Sequence, residues 1–222
     1  MTTLLSNKLQ ETTVQTLQKV LQTVVPNTQL HLKWLNTLSY LEHCGSRKIH
    51  RTDFGRYLNA TILTHMAEEA RHALYYKRLT YRIDAKAPND YRFENMLCGF
   101  SGYRYFQSLD SMVQKTIHQN QKFNELDRLT KNLLCYLYVT TVIEERAMII
   151  FPLYNKVLKE SGSTIRIDGI IKEEEKHLND MESMLPNYDT EWQSRLIEIR
   201  NNESSLFQVF VDSLYRTVIF NS

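Results

Sequence analysis

The chain has 222 residues, enough for one domain with a sizeable core. Its 27 Lys and Arg nearly balance 25 Asp and Glu, which argues against the clustered basic face of a nucleic-acid-binding domain. No apolar run approaches the ~20 residues needed to cross a bilayer. Cys44, Cys98 and Cys135 are odd in number and form no CxxC pair, which suggests a reducing compartment without a disulfide framework. Met1 to Gln10 is polar and lacks the apolar stretch of a signal peptide, so a soluble cytoplasmic protein is expected.

Glycine (6) and proline (4) are scarce, and helix formers are abundant, so the chain reads as nearly all helical. A first helix is expected from about Thr3 to Val24, broken by Pro26 and Asn27. A second begins near Thr28, carries Leu32, Leu35, Leu38 and Glu42, and has its end bracketed by Gly45 and Gly55. A third runs from about Gly55 to Ile83, closed by Pro88-Asn89-Asp90. Along it lie Lys77, Arg78 and Arg82 with Tyr75, Tyr76 and Tyr81, the nearest thing to a nucleic-acid patch, and more simply read as a solvated face. The stretch Tyr91 to Gln119 reads as helix interrupted near Gly99 and Gly102. Another long helix is expected from about Glu125 to Lys159, kinked at Pro152. After the turn Ser161-Gly162-Ser163 comes a helix from about Ile165 to Leu185. The last starts after Asp189, a good N-cap residue type, and carries Trp192, Leu196, Leu206, Phe207, Phe210 and Leu214.

Two of these helices carry Glu-x-x-His: Glu69-Ala70-Arg71-His72 and Glu174-Glu175-Lys176-His177. Residues three apart share a helix face, so each pair can ligate one metal ion. One such match is weak evidence. The repeat is stronger, because Glu42 precedes Glu69 by nearly the same interval that separates Glu144 from Glu174. The chain thus contains one unit twice: Glu, a similar gap, then Glu-x-x-His. Helical bundles of the di-iron type use this set, with one Glu from each of two helices and Glu-x-x-His from each of the other two.

The faces support these residues. Glu174 shares a face with Ile167, Ile170, Ile171, Leu178 and Met181, whereas the neighbours of Glu173 and Glu175 are mostly polar. Glu144 shares one with Leu137, Thr140, Ala147, Met148 and Phe151, and Glu42 with Leu35, Leu38 and Ile49. A carboxylate on an apolar face is costly to bury unless its charge is compensated. Four of them on separate helices call for cations. The expected metal set is Glu42, Glu69, His72, Glu144, Glu174 and His177. Glu69, His72, Glu174 and His177 should matter more than Glu68, Glu173 and Glu175, of which Glu173 and Glu175 read as surface residues or salt-bridge partners of nearby Arg and Lys.

The set resembles that of the ferritin-like di-iron carboxylate proteins. These include multicomponent monooxygenase hydroxylases, ribonucleotide reductase small subunits, arylamine N-oxygenases, tRNA-hydroxylating enzymes and aldehyde-deformylating oxygenases. The resemblance covers the four central helices, and the string from Lys172 to Asn179 is similar to the fourth-helix motif of the aldehyde-deformylating oxygenases. It implies an all-α fold: one ferritin-like four-helix bundle with additional N- and C-terminal helices, spanning residues 1–222, with a metal-binding core at about 28–185. It also implies two iron ions, with manganese or a mixed Mn/Fe pair as the alternative. Glu42, Glu69 and His72 would hold one ion and Glu144, Glu174 and His177 the other, with Glu69 and Glu174 able to bridge. In such proteins the reduced pair reacts with dioxygen and oxidises a nearby substrate. The partners this implies are a small organic substrate, dioxygen and an electron-donor protein, with homodimer assembly open and neither nucleic acid nor membrane expected.

Tyr76 sits seven residues after Glu69, where ribonucleotide reductase small subunits carry a radical tyrosine; a packed core tyrosine is the plainer reading. His65, one turn before Glu69, is open to three readings: an extra ligand, a supporting donor, or an ordinary histidine. A substrate pocket is expected beside Glu144, where Thr140, Thr141, Ala147 and Met148 leave space, with Phe151 as a wall. The rival functions are a ferroxidase or iron-storage protein, and a non-enzymatic scaffold that retains a metal site.

Overall fold

The computed structural model describes residues 2–220, with side chains from Glu11 onward. The reading of Met1 to Gln10 as lacking a signal peptide therefore falls on side chains outside the described residues. Among the described residues, seven α-helices are joined by short turns, with no strand. They are α1 (Thr2–Val24), α2 (Thr28–Arg51), α3 (Ala60–Ile83), α4 (Gly99–His118), α5 (Arg128–Glu160), α6 (Asp168–Met184) and α7 (Trp192–Tyr215). Among the described residues, no helix is long and apolar enough to cross a membrane.

Side-chain caps set three of the helix starts. Asn27 Oδ1 accepts from Leu30 N at 3.1 Å at the head of α2, Asn59 Oδ1 from Ile62 N at 3.0 Å at the head of α3, and Asp127 Oδ1 from Thr130 N at 2.9 Å at the head of α5. Each cap satisfies a backbone donor that the helix leaves orphaned, worth about 1 kcal/mol. The cap at Asn59 explains why α3 starts later than expected. Gly55 adopts a φ of +48°, and Gly55–Tyr57 forms a separate 3-10 turn.

Three other boundaries differ from the sequence reading. Helix α2 runs through Gly45 to Arg51, so Gly45 lies inside it. Helix α4 begins at Gly99 and continues through Gly102. Asp189 is not the N-cap of α7, which is Glu191. The Asp189 carboxylate is buried; its Oδ1 accepts from Glu191 N at 2.9 Å, and its Oδ2 from Tyr138 Oη at 2.5 Å and Arg195 Nε at 2.6 Å, so it bonds the backbone just before the helix as well as two side chains.

Helix α2 packs along α3, and α5 along α6; α3 meets α6, joining the two hairpins. Helices α1 and α7 pack together, and α4 packs on α5, α7 and α2. Two apolar clusters result. One holds Trp34, Leu38, Tyr76, Phe151, Tyr154 and Ile170 with α1 and α7 residues, and the other holds Ile49, Ile62, Tyr136, Val142 and Met181. Burying each large apolar side chain contributes about 1.5–3 kcal/mol. Glu42, Glu69, Glu144 and Glu174 each fall between residues of the two clusters along their own helices, so they form one polar layer at mid-height.

Lys77 is buried, donating to Asn36 Oδ1 at 2.5 Å and lying 4.2 Å over the Tyr91 ring. Together with buried Tyr76, this splits the Lys77–Arg82 stretch and leaves no continuous basic-aromatic face there. The three cysteines are free thiols.

A second buried charge pair ties α5 to α7. Arg146 Nε donates to both Glu203 oxygens at 2.8 Å, Tyr105 Oη donates to Glu203 Oε1 at 2.5 Å, and the guanidinium lies 4.8 Å over Phe207. Glu203 is 0% exposed. Glu203→Ala would leave Arg146 uncompensated, and breaking a buried pair costs about 3–5 kcal/mol. Urea denaturation of Glu203→Ala should show that loss of stability, while Glu191→Ala, which removes an exposed carboxylate, should change it little.

Candidate metal centre

All six residues expected from the sequence converge on one place, and His65 joins them. Two sets of donor atoms lie close enough to share an ion: His65, Glu69, Glu144 and His177, and Glu42, Glu69, His72 and Glu174. Glu69 belongs to both. Glu174 Oε1 lies 3.0 Å from His72 Nδ1, and Glu174 Oε2 lies 2.9 Å from His177 Nδ1, so this carboxylate spans the two histidines. Glu69 Oε1 lies 3.9 Å from His72 Nδ1, 3.8 Å from His177 Nδ1 and 3.4 Å from His65 Nε2. Glu69 thus belongs to both sets, whereas Glu174, expected with Glu144 and His177, groups instead with Glu42, Glu69 and His72 while its second oxygen reaches His177. Glu69, His72, Glu144, Glu174, His177 and His65 are buried, while Glu42 is partly exposed as a residue.

Gly45 explains why α2 can approach Glu69. A Cβ at Gly45 would lie 2.9 Å from Glu69 Oε2, so only glycine leaves that oxygen in place. Glycine inside a helix costs about 1 kcal/mol relative to alanine. Here the missing side chain is what the carboxylate occupies.

Each imidazole points one nitrogen into the cluster and has the other anchored. His72 Nε2 is 2.6 Å from Glu173 Oε2, and His177 Nε2 is 2.8 Å from Glu68 Oε2. The exchange is reciprocal: the α3 histidine is held by an α6 glutamate, and the α6 histidine by an α3 glutamate. Arg71 lies 2.9 Å from Glu173 and 3.6 Å from Glu68, linking the two anchors. Such partners fix ring orientation and the protonated nitrogen. Glu173 is the salt-bridge partner of a nearby arginine that the sequence suggested, but it and Glu68 also anchor the imidazoles, a role the sequence reading did not give them. The repeated motif is Glu-Glu-x-x-His, and its first Glu, on a partly polar face, was the missed signal.

The electrostatics are those of charges crowded without counter-ions. Burial, then the charges of Glu69, Glu174 and Glu144, push the Glu42 carboxyl well above the usual range. Burial, then Glu174 and Glu69, does the same to Glu144. Burial opposes ionisation of Glu174 too, but hydrogen bonds and charge from His177 and His72 hold it at about 2. Burial also opposes charging His72, yet Glu174, Glu69 and Glu173 lift it to about 9. His65 Nε2 and Glu69 Oε1 are buried without a hydrogen-bond partner and lie 3.4 Å apart. Unpaired buried polar atoms are costly. Oxygen and imidazole donors suit iron or manganese. Four ionised carboxylates match the charge of two divalent ions. The residues present therefore fit a pair of such metals.

A cavity of about 120 Å³ opens against this layer. Glu42, His65, Glu69, Glu144 and Glu174 form its polar wall, and the rest is mostly apolar, including Leu38, Ile49, Val139, Ile143 and Phe151. Thr140, Ala147 and Phe151 line it as expected; Thr141 and Met148 do not. Helices α4 and α7 complete it through Tyr105, Phe106, Phe207 and Phe210, which no motif flagged. Lys48 also lines it, paired with Asp110 at 2.6 Å. Tyr76 is fully buried, its hydroxyl has no hydrogen-bond partner, and burial, then Glu42 and Glu174, push its pKa well up.

No family model, curated protein or solved structure matches this chain.

Replacing Glu68 or Glu173 by alanine should lower affinity for ferrous iron about 10–100-fold, as loss of an anchor to a ligating histidine does. Glu175→Ala, on the exposed face of α6, should leave it unchanged. Iron binding measured anaerobically on the variants would separate the two groups.

The pH dependence has a definite sign. His72, raised from 6.5 to about 9, gives stability that is full below pH 6.5 and lost as pH rises through about 9. The raised pKa values of Glu42 and Glu144 also make the metal-free fold lose stability as pH rises above 4.5. Glu174, lowered to about 2, contributes above 4.5 and loses it only in strong acid. Chelator-stripped protein should therefore melt lower at pH 9 than at pH 6.5, by roughly 5 °C, since about 1 kcal/mol moves Tm by about 2–4 °C at this size. Protein loaded with ferrous iron under anaerobic conditions should show a much smaller difference.

Proposed function

We propose that this chain is a ferritin-like di-iron oxidoreductase that activates dioxygen to oxidise a small organic substrate. The observation that carries the reading is the apolar cavity that ends on the carboxylate layer. An iron-handling protein needs a polar route for a hydrated cation. An oxidase of an organic molecule needs an apolar space beside the metals, and the mostly apolar cavity supports that reading.

Glu42, Glu69, His72, Glu144, Glu174 and His177 would hold the pair. Bound there and reduced, it would supply the electrons that activate dioxygen beside the cavity, with an electron-donor protein restoring them. The protein's own part is to orient, exclude water and select. The Glu68 and Glu173 anchors fix two imidazoles, and the apolar wall keeps bulk water from the substrate. At about 120 Å³ the space fits a compact apolar group, since an apolar cavity of about 150 Å³ takes up benzene.

Iron handling is the second reading. Glu68 and Glu173, with side chains 21% and 30% exposed, supply carboxylates between the layer and solvent on the side away from the cavity. The two readings predict different behaviour. Anaerobic loading should give about two ferrous ions per chain, and stopped-flow mixing with dioxygen should oxidise them faster than free ferrous iron. Ala147→Phe, which fills the cavity, should keep the metal content and abolish binding of small apolar molecules, at a packing cost of about 1–3 kcal/mol. One equivalent of iron, or none, would refute the pair. Rapid iron oxidation with ferric product accumulating, and no apolar molecule bound by either protein, would favour iron handling.

A further inference from the structure

We infer that His65 is a third imidazole ligand, so that the two metal positions are chemically unequal. This rests on the two-metal reading and goes beyond the repeated motif, which supplies one histidine per unit and has no counterpart of His65 in the second. Helix α6 carries Ile170 one turn before Glu174, where α3 carries His65 one turn before Glu69.

His65 is 2% exposed, and both ring nitrogens are placed. Nδ1 lies 2.7 Å from the Tyr136 hydroxyl. Nε2 is directed at the layer, 3.4 Å from Glu69 Oε1 and 3.3 Å from Glu144 Oε1, with no hydrogen-bond partner. Its ring centroid is 4.2 Å from that of His177. A core histidine serving only to pack or to bond a neighbour would not leave a buried nitrogen unpaired against two carboxylates. A ligating imidazole has this arrangement: one nitrogen free toward the cation, the other fixed by an outer partner. Tyr136 does for His65 what Glu173 does for His72 and Glu68 for His177. When Nε2 binds a metal, Nδ1 carries the proton and donates it to Tyr136 Oη, which leaves the tyrosine's own proton free.

The consequence is asymmetry. One position has two imidazoles with Glu69 and Glu144; the other has one imidazole with Glu42, Glu69 and Glu174. Nitrogen donors favour iron and cobalt over manganese, whereas carboxylates suit manganese. The position with two imidazoles is therefore the one that discriminates between metals. His65 is also the imidazole that lines the cavity, while His72 and His177 do not, so this position presents nitrogen as well as oxygen toward the substrate space.

The test is a crystal structure of anaerobically iron-loaded protein, together with ferrous and manganous titrations of wild type, His65→Gln and Tyr136→Phe. Two metals with His65 Nε2 bonded to one of them are expected. In solution His65→Gln should weaken one of the two sites about tenfold or more and shrink its preference for iron over manganese, leaving the other site unchanged. Tyr136→Phe should weaken the same site while keeping His65 bonded, and it stands in if His65→Gln does not fold. Two metals with His65 outside bonding distance would overturn the inference and leave the two-metal reading intact. Wild-type isotherms in His65→Gln would do the same. Fewer than two metals in wild-type protein would overturn both.

Discussion

The structure depends on one constraint: four carboxylates and three imidazoles are packed into a single layer between two apolar clusters. In a medium of low dielectric such a group cannot remain fully ionised without cations. Without them, the layer is held by protons, with Glu42 and Glu144 resisting ionisation and His72 held charged. That is a compromise, because His65 Nε2 and Glu69 Oε1 still lack partners. Two divalent ions would replace the protons and pair the orphaned atoms together. The four helices that carry the layer are then cross-linked through it. Metal binding and bundle stability become parts of the same free energy.

The surrounding fold keeps that layer in place from both ends. Tyr76, Phe151 and Tyr154 pack on one side, and Ile62, Tyr136 and Met181 on the other. Gly45 removes the one side chain that would collide with Glu69. The reciprocal bonds His72 to Glu173 and His177 to Glu68 tie α3 to α6 across the layer, so the two histidine-bearing helices fix each other's imidazoles. A shift of α3 along α6 would break both bonds together, which makes their alignment a property of the pair.

The layer was legible in the sequence because it rests on local spacing. Glu-x-x-His places two donors on one helix face, and an apolar face under a carboxylate marks it as buried. The repeat of the unit then brought in Glu42 and Glu144, which have no motif of their own. Other features depended on tertiary placement. Glu68 and Glu173 sit on partly polar faces, and only the opposite helix reveals what they bond. Gly45 looked like a helix end and Gly99 like an interruption within one, because glycine is a breaker by propensity. Gly45 instead serves a close approach, and Gly99 starts α4. Asp189 was read as a cap by residue type; it does accept from the Glu191 backbone, but the cap position falls at Glu191 and the carboxylate also takes Tyr138 and Arg195. The cavity's far wall comes from α4 and α7, whose aromatic residues carry the periodicity of ordinary core.

The layer has two different sides, and the difference bears on function. On one side, His72 and His177 meet Glu68, Glu173 and Arg71, all partly or largely exposed. That side is polar and near solvent, a place where protons or cations can exchange. On the other side, Glu42, His65, Glu69, Glu144 and Glu174 face a mostly apolar cavity lined by aromatic side chains from α4, α5 and α7. Electrostatic interactions strengthen as water is excluded, so charge changes at the layer act most strongly on whatever occupies the apolar side. An unfilled apolar space forfeits packing contacts; under the proposed function a substrate would supply them, which would link the electrostatics of the layer to oxidation of an organic molecule.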